Sequence, residues 1–149
     1  MISIILDREN YKPGMEITAQ IHIKLKKEIR ARGIFATLIC TEKRLEEVRR
    51  VMDSYDYLQE RDLGVQRRTH IKTEVREISR ICYSKDVKLA GEGIYKEEEF
   101  VAKFLIPRDA KTTSYEFGHD NAIYVWRIKV KIDIPFALDK NAQKEVMVV

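Results

Sequence analysis

The sequence predicts an all-β protein, built as a two-sheet sandwich of about seven or eight strands. After the turn signal Tyr-Lys-Pro-Gly at residues 11–14, apolar and polar side chains alternate strictly over residues 17–26. The same alternation returns over residues 124–134, and Pro135 closes it. A period of two is typical of a strand with one buried face and one solvated face, so both segments are predicted to cover a shared core.

The first part of the chain supplies three predicted strands. A short strand at residues 2–6 precedes the Pro-Gly turn and the long strand at residues 17–26 follows it, which favours a hairpin. Residues 33–40 are apolar on both faces and rich in residue types that suit strands. We therefore expect residues 33–40 at the centre of a sheet.

Between residues 42 and 70 the alternation breaks down. Opposite charges one helical turn apart, such as Lys43 and Glu47, favour an amphipathic helix over residues 42–59. Its apolar residues recur at spacings of three and four: Leu45, Val48, Val51, Met52, Tyr55 and Leu58. Residues 60–70 are polar and basic and are predicted to form a loop. This section, with its core at about residues 44–68, is interpreted as a helical or loop insertion in the sandwich.

The second half of the chain supplies the remaining strands. Residues 71–83 have the composition of a strand, and their apolar positions change phase once, which indicates a bulge. A turn at residues 89–93 leads to a strand with a clean inward face at residues 100–106. Residues 108–121 are predicted to form a loop, and a last strand is expected at residues 145–149.

Length and composition favour one domain without a membrane span. A chain of 149 residues with 44% hydrophobic content can bury a substantial core, so residues 1–149 are predicted to form a single domain. No window approaches the roughly 20 apolar residues of a membrane-spanning helix. The first ten residues lack the basic start and apolar core of a signal peptide, and we expect a cytoplasmic protein.

The two cysteines, Cys40 and Cys82, each lie inside an apolar stretch and not at a metal-ligand spacing. Free cysteines are among the most buried residue types, so both are expected to be small core residues. A disulfide between them is the alternative, and the sequence leaves the choice open.

The charge pattern does not favour a dedicated nucleic-acid-binding protein. The chain carries 28 basic and 24 acidic residues, a net charge of +4, and both signs are mixed along the same segments. The densest basic stretch, residues 24–32, includes Lys24 and Lys26, which fall on the solvated face of a strand. Lysines at such positions also protect a sheet edge from aggregation. Nucleic acid is therefore an unlikely partner on this pattern.

No residue pattern predicts catalysis. His22 falls on the solvated face of a strand, and His70 and His119 fall in predicted loops. The acidic run at residues 97–99 cannot turn three successive carboxylates toward one cation. We expect no enzyme, no bound cofactor and no metal, although a sandwich can carry an active site on its loops.

Several segments, taken in order, resemble the arrestin-type domains. They are Tyr11-x-Pro13-Gly14-x-x-Ile17-x-x-x-Ile21, residues 27–34, residues 100–107 with the ending Phe-Leu-Ile-Pro, residues 114–117 and residues 124–135. The resemblance covers about residues 2–148 except the section at 44–68. The chain departs from the pattern at Met15, where the family often has Glu, and at Ala19, where it often has Gly.

The resemblance implies an immunoglobulin-like β-sandwich of the arrestin amino-terminal type, a group that includes retromer cargo adaptors and bacterial sporulation-control proteins. Such domains are scaffolds and adaptors without catalytic activity. Animal arrestins use two sandwiches and a charged contact between them to respond to phosphorylated tails. This sequence accounts for one sandwich, so no phosphate-sensing residue is carried over.

The leading hypothesis is an adaptor that binds a protein or peptide partner through a free sheet edge, through self-association, or through the section at 42–70. Candidate contact residues are Tyr55, Leu58, Arg67, Arg68, Lys24 and Lys26. A homodimer is one form of this hypothesis, because a lone sandwich exposes edges that a second copy would cover. The alternative is a binder of nucleic acid or an anionic surface through the basic strand face and loop. The sequence does not identify the partner.

Overall fold

Eight strands and no helix form from the residues that the computed structural model describes, which are residues 1–53, 69–118 and 121–149. The strands are β1 (Ile2–Leu6), β2 (Asn10–Tyr11), β3 (Glu16–Ala31), β4 (Gly33–Asp53), β5 (Thr69–Ala90), β6 (Gly93–Leu105), β7 (Ala122–Asp133) and β8 (Lys140–Val148). The predicted all-β class is confirmed. Within the same described ranges, no helix is long and apolar enough to cross a membrane.

The strands form a smaller sheet of order β1-β3-β6 and a larger sheet of order β2-β8-β7-β4-β5. All pairs are antiparallel except β2 with β8. The predicted pairing of the first strand with residues 17–26 is confirmed by the register of β1 on β3. Residues 33–40 lie centrally, as expected, because β4 pairs with β7 on one side and β5 on the other.

The core lies between the two sheets and is made by alternate residues of each strand. Along β7 every second side chain is buried from Ala122 to Ile132. From the smaller sheet the buried residues include Ile17, Ala19, Ile21, Ile23, Ala102 and Phe104. The buried Trp126 donates its indole N–H to the carbonyl oxygen of Lys111 at 2.8 Å, so its one polar group is satisfied. The predicted alternation thus corresponds to the observed inner face.

The helix predicted over residues 42–59 is wrong for its described part. Residues 42–53 continue β4 and pair with β5 as far as Asp53 opposite Thr69. The backbone hydrogen bonds that a helix would make internally are supplied by β5, and Lys43 reaches Glu77 across the strands at 3.7 Å. Residues 54–68, which hold the rest of that prediction and most of the predicted loop, lie outside the described residues.

A bulge does occur within residues 71–83, as predicted, but it lies at Cys82 and not among Val75, Ile78 and Ile81, whose register is continuous. Cys40 lies opposite Tyr83 and Thr41 lies opposite Ile81, so Cys82 is an extra residue on β5. A second shift in register occurs next to Phe35, near the end of β5. Both irregularities fall on the β4–β5 pairing, and the β4–β7 register has none.

The bulge separates the environments of the two cysteines. Cys40 is buried on the inner face, whereas Cys82 is exposed, and neither forms a disulfide. The Cys82 thiol donates to the carbonyl oxygen of Cys40 at 3.4 Å. The expectation of two buried core cysteines is therefore wrong for Cys82, because this extra residue has no partner on β4 and lies in an exposed part of the edge strand β5.

We expect thiol reagents to distinguish the two cysteines. In the native protein an aromatic disulfide reagent should label Cys82 quickly and Cys40 only after unfolding, because burial raises the pKa of the Cys40 thiol and keeps it protonated. A Cys82→Ser variant should lose the fast phase, and a Cys40→Ser variant should keep it. Fast labelling of the Cys82→Ser variant would contradict this assignment.

Candidate partner-binding surface

The β4–β5 hairpin extends past the end of the sandwich as a two-stranded ribbon. The register of β4 on β7 ends with Arg44 opposite Ala122, and one more backbone bond joins the Leu45 N–H to the Asn121 carbonyl oxygen at 3.0 Å. Beyond that point, residues 45–53 and 69–77 pair only with each other among the described strands. We call these two segments the ribbon; at about 3.3 Å per residue it is roughly 30 Å long.

The ribbon and the neighbouring part of β5 present apolar side chains to solvent. Val75 is 65% exposed, Ile81 is 63% exposed and Ile78 is 39% exposed. Val75 lies opposite Glu47 and Ile81 opposite Thr41, so these two share the outer face, whereas Ile78 lies on the other. Because β5 is the last strand of the larger sheet, its outer edge pairs with no described strand. The surface therefore combines free backbone groups with exposed aliphatic side chains.

A buried carboxylate lies where the ribbon joins the sandwich. Glu42 continues the inner face of β4 after Cys40 and is only 4% exposed. It accepts hydrogen bonds from Arg44 Nε at 3.0 Å and from Arg80 Nε at 3.1 Å, both to Oε1, and from Arg80 Nη2 to Oε2 at 3.4 Å. Arg44 precedes the ribbon on β4 and Arg80 stands opposite Glu42 on β5, so the carboxylate ties both strands together at the root of the ribbon.

The two arginines determine the ionisation of Glu42. The hydrogen bond from Arg44, and then the one from Arg80, hold the pKa of Glu42 below its usual range, against the opposing effect of burial. Glu42 is therefore ionised at neutral pH.

Lys24 and Lys26 are exposed, but they lie away from the ribbon. Both are on β3 of the smaller sheet, and Lys24 stands opposite Glu97 on β6. The same carboxylate lies 3.4 Å from Nε2 of His22. Carboxylates of the acidic run thus interrupt the basic face of β3, which weakens the continuous positive field that a nucleic-acid-binding strip requires.

Of the sequence-predicted contact residues, the structure describes only Lys24 and Lys26. Tyr55, Leu58, Arg67 and Arg68 lie outside the described residues, and Lys24 and Lys26 lie on the other sheet. Sequence patterns did not indicate that Val75, Ile78 and Ile81 are surface residues or that Arg80 is the partner of Glu42. The signal that could have found them is the mixed apolar and charged composition of β5, which suits a strand with two solvated faces.

Within residues 1–53, 69–118 and 121–149, no group of three or more His, Cys, Asp and Glu side chains is arranged so that it could hold a metal ion. The buried Tyr11 hydroxyl donates to Asp7 at 2.6 Å, and burial followed by this bond raises the pKa of Tyr11 to about 12. This pair fastens the chain between β1 and β3, since Asp7 also accepts the Thr18 N–H at 3.1 Å.

Replacing Glu42 by Gln should destabilise the protein in a pH-dependent manner. The variant removes the negative charge that accepts hydrogen bonds from Arg44 and Arg80, and we expect the free energy of unfolding near neutral pH to fall by about 2 kcal/mol. The pKa of Glu42 is lower in the folded chain than in the unfolded chain. The ionised Glu42 therefore makes its full contribution to the free energy of unfolding at pH values above its pKa in the unfolded chain. This contribution is lost as the pH falls through its pKa in the folded chain.

Denaturant unfolding of the parent and the Glu42→Gln variant along a pH series checks this prediction, and the difference between them should shrink toward acid pH. Glu77→Gln is the matched control, because Glu77 and Lys43 form an exposed pair at 3.7 Å and its loss should cost less than about 0.5 kcal/mol. Equal losses for the two variants, or a difference independent of pH, would argue against the stabilising role of the cluster of Glu42, Arg44 and Arg80.

The fold agrees with a known structure. The crystal structure of Spo0M, a sporulation control protein from Bacillus subtilis, matches over 99% of this chain with a TM-score of 0.58 and 19% sequence identity. The chain spans about half of that protein, 48% of its length. No family model matches the sequence, and no curated protein matches it. At this identity the likeness concerns the fold, and it supports the arrestin-like β-sandwich that the sequence resemblance implied.

Proposed function

We propose that this chain is a non-catalytic adaptor or scaffold domain that binds a protein or peptide partner along the free edge of β5. The observation that carries the proposal is the free edge of β5, which pairs with no further strand among the described residues and which exposes Val75, Ile78 and Ile81. The likeness in fold to a sporulation control protein is compatible with a regulatory role of this kind.

The physical argument rests on the strand number of the ribbon. A two-stranded hairpin in water is marginally stable, and three strands or a packing partner are needed for independent stability. An added strand would pair the free N–H and C=O groups of β5 and turn the ribbon into a three-stranded sheet. Val75 and Ile81, on one face, would then contact alternate side chains of the added strand.

Charges along the same edge would select the partner. Glu74, Arg76, Glu77 and Arg80 alternate in sign along β5, and Arg76 forms an ion pair with Glu74 at 3.6 Å. Charged residues on an edge discourage unspecific pairing between sheets, so a strand with matching charges is favoured over other strands. A second copy of this chain is one such candidate, because pairing about a twofold axis covers two free edges at once.

Charging the exposed aliphatic residues should abolish partner binding without unfolding the domain. We expect a Val75→Lys/Ile81→Lys variant to keep the melting temperature of the parent, since both positions are exposed, and to lose the protein retained by the parent in affinity capture from its source organism. The capture is made after nuclease treatment and washed at two salt concentrations, and self-association is measured by sedimentation velocity.

The matched control is Ile5→Lys/Val101→Lys, which charges two similarly exposed aliphatic residues on the outer face of the smaller sheet. This control should retain the same partner, or the same oligomeric state, as the parent. If the Val75→Lys/Ile81→Lys variant still retains the partner, the edge of β5 is not the binding surface. Loss of all retained protein at the higher salt would favour the alternative of an anionic ligand.

Hydrogen exchange of the backbone amides should also detect the binding of a partner strand at the edge of β5. In the free protein we expect the amides of residues 45–49 and 73–77 to exchange faster than those of residues 34–40, which are covered on both sides by neighbouring strands. A bound strand should slow exchange at residues 73–77. Unchanged exchange there in the complex would exclude strand addition as the mode of binding.

A further inference from the structure

The loop between β7 and β8, residues 134–139, holds two apolar side chains fully out in solvent. The exposure of Phe136 is 107% of its reference value, and that of Leu138 is 93%. Phe136 also has a φ of 57°, in the left-handed region that bulky residues rarely adopt. An aromatic side chain held outward by an unfavourable backbone conformation points to a function for the loop.

Specific contacts at both ends of the loop give its tip a defined position. The Ile134 N–H donates to Asp139 Oδ1 at 3.0 Å, and Lys131 forms an ion pair with the same carboxylate at 3.6 Å. Pro135 restricts the backbone just before Phe136. These contacts fix both ends of the loop and leave the two apolar side chains at its tip.

Positive charge is concentrated at the same end of the sandwich. We define the basal end as residues 25–35, 88–96 and 131–141. The strand register places these segments at the same end of the sandwich, since Phe35 lies opposite both Lys88 and Lys131. Its eight cationic residues are Lys26, Lys27, Arg30, Arg32, Lys88, Lys96, Lys131 and Lys140. Its four acidic residues are Glu28, Glu92, Asp133 and Asp139. The excess equals the net charge of +4 of the whole chain, so the basal end accounts for all of it.

Three of the four carboxylates are already paired with cations of the basal end. Arg30 meets Glu92 at 3.3 Å, Arg32 meets Asp133 at 3.3 Å, and Lys131 meets Asp139. The lysines that remain without an ion pair in the described structure are Lys26, Lys27, Lys88, Lys96 and Lys140. These lysines are available to an anionic surface that approaches the basal end.

We propose that the basal end docks on the surface of a negatively charged lipid bilayer. Phe136 and Leu138 enter the boundary between headgroups and acyl chains, and the lysines around the loop contact acidic headgroups. A bilayer surface satisfies both features together, whereas the phosphate backbone of a nucleic acid offers nothing apolar to Leu138. The ribbon lies at the opposite end of β4, so a docked molecule directs it away from the membrane.

Sedimentation with vesicles tests the proposal. We expect the protein to sediment with vesicles of phosphatidylcholine mixed with phosphatidylserine, to sediment weakly with phosphatidylcholine alone, and to bind less as salt is raised. A Phe136→Ser/Leu138→Ser variant should bind at least about tenfold more weakly, because it loses the apolar insertion. Ile5→Ser/Val101→Ser is the matched control and should bind as the parent does.

A second variant keeps the test independent of folding. Tryptophan in Phe136→Trp should shift its emission to the blue and be quenched by brominated lipids on binding, while the buried Trp126 stays unchanged. No binding to the acidic vesicles overturns the proposal, and so does equal binding by the serine variant. The proposal is also overturned if a protein from the source organism slows hydrogen exchange in the loop and vesicles do not. That result would assign the loop to a protein partner.

Discussion

The pairing of β4 with β7 at the centre of the larger sheet is the constraint on which the rest of the structure depends. Its register is unbroken from Gly33 opposite Asp133 to Arg44 opposite Ala122. Alternate residues of both strands therefore face the smaller sheet together, and a shift by one residue would turn all of them to solvent. The two register shifts of the larger sheet lie on the other side of β4, in the pairing with β5, and leave the register with β7 intact.

The same alternation explains why the buried carboxylate lies where it does. β4 continues past the apolar part of the core, and Glu42 is the next residue on its inner face after Cys40. A buried carboxylate is tolerated only with charged partners, and Arg44 and Arg80 provide them from the two strands that form the ribbon. The ion pairs of Glu42 thus lie at the boundary between the apolar core of the sandwich and the ribbon, whose edge is free.

Sequence patterns predicted the elements that have one buried face and failed where both faces are solvated. In β3 and β7 the alternation of apolar and polar residues directly reflects the two faces. In the ribbon, Leu45 and Val48 lie on opposite faces, so their spacing of three mimics a helix. Val75, Ile78 and Ile81 on β5 show the same spacing for the same reason. No local pattern could reveal that the hydrogen bonds of residues 45–53 are supplied by a strand that lies 16 or more residues further along the chain.

By itself the sequence determined the all-β class, the inner faces of the long strands and the arrestin-like order of its segments, because these depend on alternation and turn residues that are local. Only the tertiary structure decided how the chain presents its surface. Cross-strand register paired Glu42 with Arg80 and displaced Cys82 from the core. Strand order left β5 at an edge and gathered the excess positive charge around Phe136. Such juxtapositions join residues distant in sequence, and composition and periodicity carry no record of them.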